Sequence, residues 1–416
     1  MLKYEKFILK NGLKVIVYQD KTATLASINI LYNVGSIDED ENKTGFAHLF
    51  EHLMFGGSKN IPNFDTVLQN AGGENNAFTN NDYTNYYLTI PRQNIETAFY
   101  LESDRMEELA FSKKSLEVQR NVVSEEFRQR YFNKPYGDVS LYIRPLAYKV
   151  HPYKWNTIGK NIEDIQNAKL QDVKNFFYNY YAPNNAIMVV AGNVGVSEIY
   201  KLSEKWFGNI PARNIKIRNI IQEPQQTETR KLVLERNVPN DAIFMTYHTC
   251  GRLDNDYYAS DLISDMLSNG KSSLFNVNLI KDKQLFFDID AYISGTFDPG
   301  LLHISGKLFP NISFENAEKA VKIEIEKICN GNFSDRDLEK VKNKFISNLK
   351  FEQIDNSEIA MNLAYYECLG CLDLINSISE EYKNVTKEKI ISVANKIFKE
   401  ENLSCIYYNK SAMTCG

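Results

Sequence analysis

Histidine is scarce in this chain, with five among 416 residues. Positive charge is not in surplus either: 48 Lys and Arg stand against 53 Asp and Glu, for a net charge of −5. Such a balance supplies no basic surface to hold a phosphate backbone, which excludes nucleic-acid binding as a function class. No apolar run reaches the roughly 20 residues that a membrane-spanning helix needs. The opening stretch MLKYEKFILKNGLKVIVYQD lacks the basic-then-apolar order of a secretory leader. The expectation is a soluble, cytoplasmic protein with no nucleic-acid or membrane partner. Cysteine is sparse: Cys250, Cys329, Cys368, Cys371, Cys405 and Cys415 all lie in the second half. Their spacing forms no disulfide framework, which fits a reducing compartment. Cys368-Leu-Gly-Cys371 is a CxxC with no second CxxC and no nearby histidine, so it receives no metal or redox role.

Aromatic residues, by contrast, are abundant, at 25 Tyr and 24 Phe. They suit well-filled cores or surfaces that grip extended chains. The length predicts two or three domains. Along the chain, LKVIVYQD and LASINILYNVGS read as strands, rich in β-branched and aromatic residues and followed by turn formers. A helix is expected from Thr44, with Thr44 as its N-cap and Gly56-Gly57 as its stop. FDTVLQNAGG reads as a short helix, NAFTNNDYTNYYLTI as a hairpin, and residues 93–132 as mostly helical. NAIMVVAGNV reads as a buried strand. Residues 212–230 are polar and aperiodic and read as a linker between a domain over 1–211 and a second over 231–416. After the linker the order of elements restarts. KLVLERNVPNDAIFMTYHTCG, then DNDYYASDLISDMLSNGKSSLF, repeats the strand, acidic turn, helix and glycine of the first half. Asp261 and Asp265 fall where the first copy has His48 and His52. The expected fold class is therefore α+β, in two homologous halves.

Two of the five histidines, His48 and His52, fall in one turn with Glu51 between them: HLFEH. On a helix, positions i and i+4 lie about 40° apart around the axis, so both imidazoles can aim at one ion. Glu51 leans toward the same point. A catalytic zinc site needs three protein ligands and an open position, together with a base that takes a proton from water and passes it to the leaving amine. HxxEH supplies two ligands and the base, in the order of the inverted zincin motif. The plain alternative is an amphipathic core helix, since Phe46, Leu49, Phe50, Leu53 and Met54 are apolar. The third ligand is sought on KSLEVQRNVVSEEFRQRY, residues 114–131. There Leu116, Gln119, Val123, Glu126 and Phe127 share one face, while Glu117, Asn121, Ser124, Glu125 and Arg128 share the other. Glu126 is thus the carboxylate on the apolar face, where a partner such as a metal, or an arginine, is needed.

HxxEH followed by QRNVVSEE resembles the pitrilysin/insulinase family of zinc peptidases, and the resemblance extends over nearly the whole chain. It implies two α/β-sandwich halves, each a mostly antiparallel sheet covered by helices, and one zinc ion per chain on His48, His52 and Glu126. In the family the third ligand is the glutamate six residues after the arginine of this motif, which from Arg120 is Glu126. GGENNAFTNNDYTNYY resembles the family's edge strand, on which an extended peptide substrate pairs through Asn76, Ala77 and Phe78. Two departures stand out. Gln119 occupies a place where many members have a glutamate that orients a ligand. Ile280 and Phe287 occupy the places of an arginine and a tyrosine that, in active single-chain members, help hold substrate and stabilise the oxyanion; neither can donate a hydrogen bond. The resemblance is therefore to the zinc-carrying subunit of a two-subunit endopeptidase, with a homologous partner in a heterodimer, or a second copy in a homodimer, supplying that pair. The alternative it leaves is a non-catalytic scaffold subunit of the same fold.

Overall fold

The computed structural model describes residues 1–411; Cys415 lies outside the described residues. Among the described residues eleven strands form two sheets, β1 (Tyr4–Ile8), β2 (Lys14–Gln19), β3 (Leu25–Tyr32), β4 (Glu74–Thr79), β5 (Thr84–Pro91) and β6 (Ala186–Gly192) in the first, and β7 (Arg230–Arg236), β8 (Ala242–His248), β9 (Phe286–Ile293), β10 (Leu301–Leu308) and β11 (Leu403–Lys410) in the second. The first sheet runs β1-β2-β6-β3-β5-β4 and the second β7-β11-β8-β10-β9. Only the pairs β2–β6 and β7–β11 are parallel. Helices cover both sheets, giving the α+β, two-half architecture expected. Among the described residues no helix is long and apolar enough to cross a membrane.

β6 reads AIMVVAG and is buried at every position, as a central strand covered on both faces must be. β4 is different: its exposure alternates residue by residue, and it pairs only with β5, which makes it the edge.

The described residues divide into two compact units: 1–128, 155–220 and 350–377 in one, 129–154, 221–349 and the remainder in the other. Each unit takes one helix from the opposite half of the sequence. In the first, the helix Asn356–Cys368 packs on β3 and β6. In the second, Val139 and Ile143 of the helix Val139–Ala147 form a core with Leu234, Val238, Ala242, Ile406 and Tyr408. Composition cannot display such an exchange, because an amphipathic helix does not state which apolar face it covers.

Residues 212–230 contain no regular element before β7, yet they are pinned along their length. Arg213 donates to the carbonyls of Tyr181 and Glu107, and Arg218 grips Asp38 through two nitrogens at 2.8 and 2.7 Å. Further on, Glu223 accepts the backbone N–H groups of Lys149, Val150 and His151.

The helix Tyr257–Ser268 carries Asp261 and Asp265. The Tyr382 hydroxyl donates to Asp261 at 2.5 Å, and the Asn269 amide to Asp265 at 2.7 Å. Burial pushes the Asp261 carboxyl from 3.8 up to about 6, against the lowering effect of the Tyr382 bond. An acid whose folded-state pKa lies above its unfolded one keeps its proton longer when folded, so stability falls as pH rises from about 4 to about 6 and is flat above that window. Asp261→Asn is expected to remove this slope and to gain on the order of 2 kcal/mol at neutral pH. Urea unfolding at pH 4, 5, 6 and 7.5 measures it; a variant with the parent's slope would refute it.

Candidate metal centre

The HLFEH turn lies on the short helix Phe46–Leu53, whose Phe46, Ala47, Leu49, Phe50 and Leu53 are buried. Phe50 anchors its apolar side against Tyr181 and Phe177, with ring centroids 4.3 and 5.8 Å away. The expected N-cap is corrected. Gly45, at φ 85°, begins the helix, and a Cβ there would come within 2.5 Å of the Ile158 carbonyl, so only glycine fits. Thr44 instead bonds Asp164 through both its hydroxyl and its N–H, at 2.6 and 3.0 Å. The free N–H groups of the first turn go to Glu39, which accepts from Gly45 at 2.9 Å and Ala47 at 2.8 Å. Burial holds the Glu39 carboxyl well above the usual range. The expected glycine stop is also reached early: the helix ends at Leu53, and turns carry the chain on to Gly57 at φ 102°.

Glu126 sits near the end of the helix Lys113–Phe127, capped by the Ser112 side chain accepting from Ser115 N–H. Leu116, Val123 and Phe127 are buried, Gln119 and Glu126 are half-buried, and Glu117, Asn121, Glu125 and Arg128 are exposed. Ser124, expected on the wet face, is buried; it borders the apolar stripe. Arg120 clasps the helix to its surroundings by donating to the carbonyls of Gln166 and Ala168 at 2.9 and 3.2 Å. Gln119 lies two turns before Glu126 on the same face.

The two helices bring three ligand-type atoms together. His48 Nε2 and His52 Nε2 lie 3.6 and 3.5 Å from the same Glu126 oxygen, and one ligand atom from each of the three residues falls within 4.8 Å of the others. The imidazole centroids are 4.8 Å apart and the rings are inclined at 72°. Two bonds of about 2.0–2.2 Å at a tetrahedral angle separate their ligand atoms by roughly 3.3–3.6 Å, which the two histidine–Glu126 separations match. The donor set, two imidazoles and a carboxylate, leaves a fourth position open.

Glu51 faces the edge strand. Thr79, the last residue of β4, donates its hydroxyl to Glu51 Oε2 at 2.5 Å. Burial raises the Glu51 pKa, the Thr79 bond and His52 oppose the rise, and Glu126 adds to it. Reading the sequence missed Thr79, although it follows Phe78 in the stretch already singled out. On the same strand Ala77 N–H points away from β5 and is held by the Asn76 side-chain oxygen at 2.8 Å. Strand geometry then turns the backbone groups of Asn75, Ala77 and Thr79 outward. Phe78 is 36% exposed.

The other histidines are held by protein groups. His151 Nε2 lies 3.2 Å from Asp298 and its Nδ1 accepts from Tyr153 N–H; His248 and His303 meet the Ala147 carbonyl and the Ser294 hydroxyl. Burial pushes the Cys368 thiol up to about 12, unlike a redox or metal-binding cysteine.

The chain resembles known proteins over nearly its whole length. The family model described as insulinase (peptidase family M16) matches residues 14–153, and the one described as peptidase M16 inactive domain matches residues 167–345. The chain is 30% identical to the zinc protease PqqE of Helicobacter pylori, over 97% of this chain and 92% of that one. It is 23% identical to the uncharacterized zinc protease YmxG of Bacillus subtilis, over 95% and 96%. A crystal structure of a protease from Helicobacter pylori superimposes with a TM-score of 0.93 at 29% identity, covering 98% of this chain and all of that one. That of a peptidase M16 inactive domain from Pseudomonas fluorescens does so at 0.89 and 16% identity, covering 99% and 98%.

Proposed function

This chain belongs to the insulinase family, peptidase family M16, and on that premise we propose that it is a zinc-dependent endopeptidase acting on peptides and unfolded polypeptide segments. The observation that carries the reading is the convergence of His48, His52 and Glu126 within 4.8 Å, with Glu51 beside them and tied to the edge strand. His48, His52 and Glu126 hold the metal. A bound zinc ion supplies Lewis acidity toward a carbonyl and makes a water easier to deprotonate. Glu51 takes the proton of the attacking water and delivers it to the nitrogen of the leaving amine. Its single bond from Thr79 fixes one carboxylate oxygen and leaves the other for this transfer. The outward backbone groups of Asn75, Ala77 and Thr79 pair with an extended substrate once the Asn76 side chain releases Ala77 N–H. Main-chain pairing of this kind gives affinity with little sequence preference. Asn76, Ala77 and Phe78 are the substrate residues, and Gln119 supports the site without adding charge. A homologous partner subunit completes it.

The experiment is metal content. One zinc per chain is expected in the purified protein, and Glu126→Gln is expected to weaken zinc binding by more than the roughly 10–100-fold that losing an outer hydrogen-bond partner costs. A chain that binds no zinc and cleaves no peptide would favour the alternative, a non-catalytic scaffold subunit. The match of residues 167–345 to an inactive domain takes in Asp261 and Asp265 and does not reach His48, Glu51, His52 or Glu126.

A further inference from the structure

A groove of about 930 Å³ opens within the first unit beside the edge strand. Glu74 and Asn76 of β4 pair in register with Thr89 and Tyr87 of β5, and Thr89 with Ser27 of β3. Their side chains therefore line one face of the sheet, which forms the groove's floor. The opposite wall is the segment 351–361 leading into the helix Asn356–Cys368.

Two properties of this groove are unusual for a surface feature. Its wall carries Phe351 and Ile354 at 70% and 75% exposure, and Leu25, at 48%, rims the floor. Large apolar side chains grouped in the open mark an interaction site. The charge is also one-sided: Asp20, Glu74, Asp355 and Glu358 line the groove, and no lysine, arginine or histidine does. Asp20 is held ionised by bonds from Thr22, and Asp355 caps the following helix by accepting from Ser357 N–H. Glu352, next to Phe351, is pushed upward by partial burial and by the charge of Glu358, as expected in a negative field.

We infer that this groove is a second substrate-binding surface, which takes a stretch of the extended polypeptide carrying lysine or arginine among apolar side chains. The inference rests on the peptidase reading, since Asn76 belongs both to the groove and to the strand on which substrate is expected to pair. A substrate paired along β4 lies in the plane of the sheet, and its alternate side chains project on the face that carries Glu74 and Asn76, where the groove begins. Its apolar side chains meet Phe351 and Ile354, and its cations meet Glu74 and Glu358. A second copy of this chain is a poor occupant, because face-to-face pairing would set four carboxylates against four. A phosphate-bearing ligand is excluded by the same charge.

The test uses the full chain with Glu51→Gln, so that binding is read whether or not the protein is a peptidase. Two labelled, unstructured peptides share their apolar residues, one carrying lysines and the other glutamates. By fluorescence anisotropy the lysine peptide is expected to bind about tenfold tighter at low salt, with the difference shrinking as salt rises. Adding Glu74→Lys and Glu358→Lys, which leaves two lysines against Asp20 and Asp355, is expected to abolish the preference. Phe351→Ser with Ile354→Ser, both at open positions, is expected to weaken both peptides severalfold. Equal affinities for the two peptides, a preference unmoved by the charge reversal, or affinities unmoved by the serine pair would each overturn the inference. Parallel cleavage assays on the unsubstituted chain separate the two readings. A charge preference in binding without cleavage sinks the peptidase and keeps the groove; cleavage without any charge preference does the reverse.

Discussion

Glu51→Gln is expected to lower peptide hydrolysis by a factor of about 10³–10⁴, toward the upper end of what general acid–base catalysis contributes, while zinc stays at one per chain. The substitution preserves shape. Thr79 can still donate to the amide oxygen as it does to Glu51 Oε2, and the apolar contacts of the helix Phe46–Leu53 are untouched. The three ligand-type side chains also stay in place, since Glu51 points at the edge strand while His48 and His52 meet Glu126. What disappears is the capacity to accept a proton from water and return it to the amine. The measurement pairs turnover of a quenched, unstructured peptide with zinc determined by mass spectrometry on the same preparation. Loss of turnover with full zinc supports the base. Loss of both would mean that Glu51 holds the metal or the fold. Undiminished turnover would assign the proton transfer to another group.

How far such a site can be read from sequence depends on the kind of physics that fixes each part. The helix pair is local. Two histidines four apart and a carboxylate on an apolar face follow from helical periodicity, and His48, His52 and Glu126 do converge. β6 and the β4–β5 hairpin are similarly legible, because an unbroken apolar run and a polar hairpin rich in Thr and Tyr differ plainly. The misses are long-range. Glu39 caps the first helix across an intervening turn, which no i-to-i+3 capping rule finds, and Thr44, the best local candidate, is drawn off by Asp164. The exchange of the helices Val139–Ala147 and Asn356–Cys368 between sequence halves is likewise a choice among equivalent apolar faces. Thr79 is a different case: a strand-end threonine has no distinctive neighbourhood until the fold sets it against Glu51.

The isolated chain is expected to cleave its peptides about 10²–10³ times more slowly than the same chain joined by a homologous subunit bearing an arginine and a tyrosine, the loss typical of missing oxyanion donors. Ile280 lies in the helix Phe275–Asp282 and Phe287 on the edge strand β9. The Phe287 ring lies against Phe309 with centroids 3.9 Å apart and is 45% exposed. Neither side chain carries a donor. In the proposed mechanism this centre binds the metal and moves the proton, yet the residues matching the family's pair offer nothing to the developing oxyanion. A second chain is the economical source of those donors, because it can keep the fold of the second half while differing at these two positions. The measurement is turnover of the quenched peptide by the chain alone and after titration with the candidate partner, with the Glu51→Gln chain as the blank in both. A rise that saturates at one partner per chain, and that disappears when the partner's arginine and tyrosine are removed, supports the two-subunit enzyme. Full turnover by the chain alone would refute it, and would direct attention to donors other than those two positions, starting with the outward N–H groups of β4.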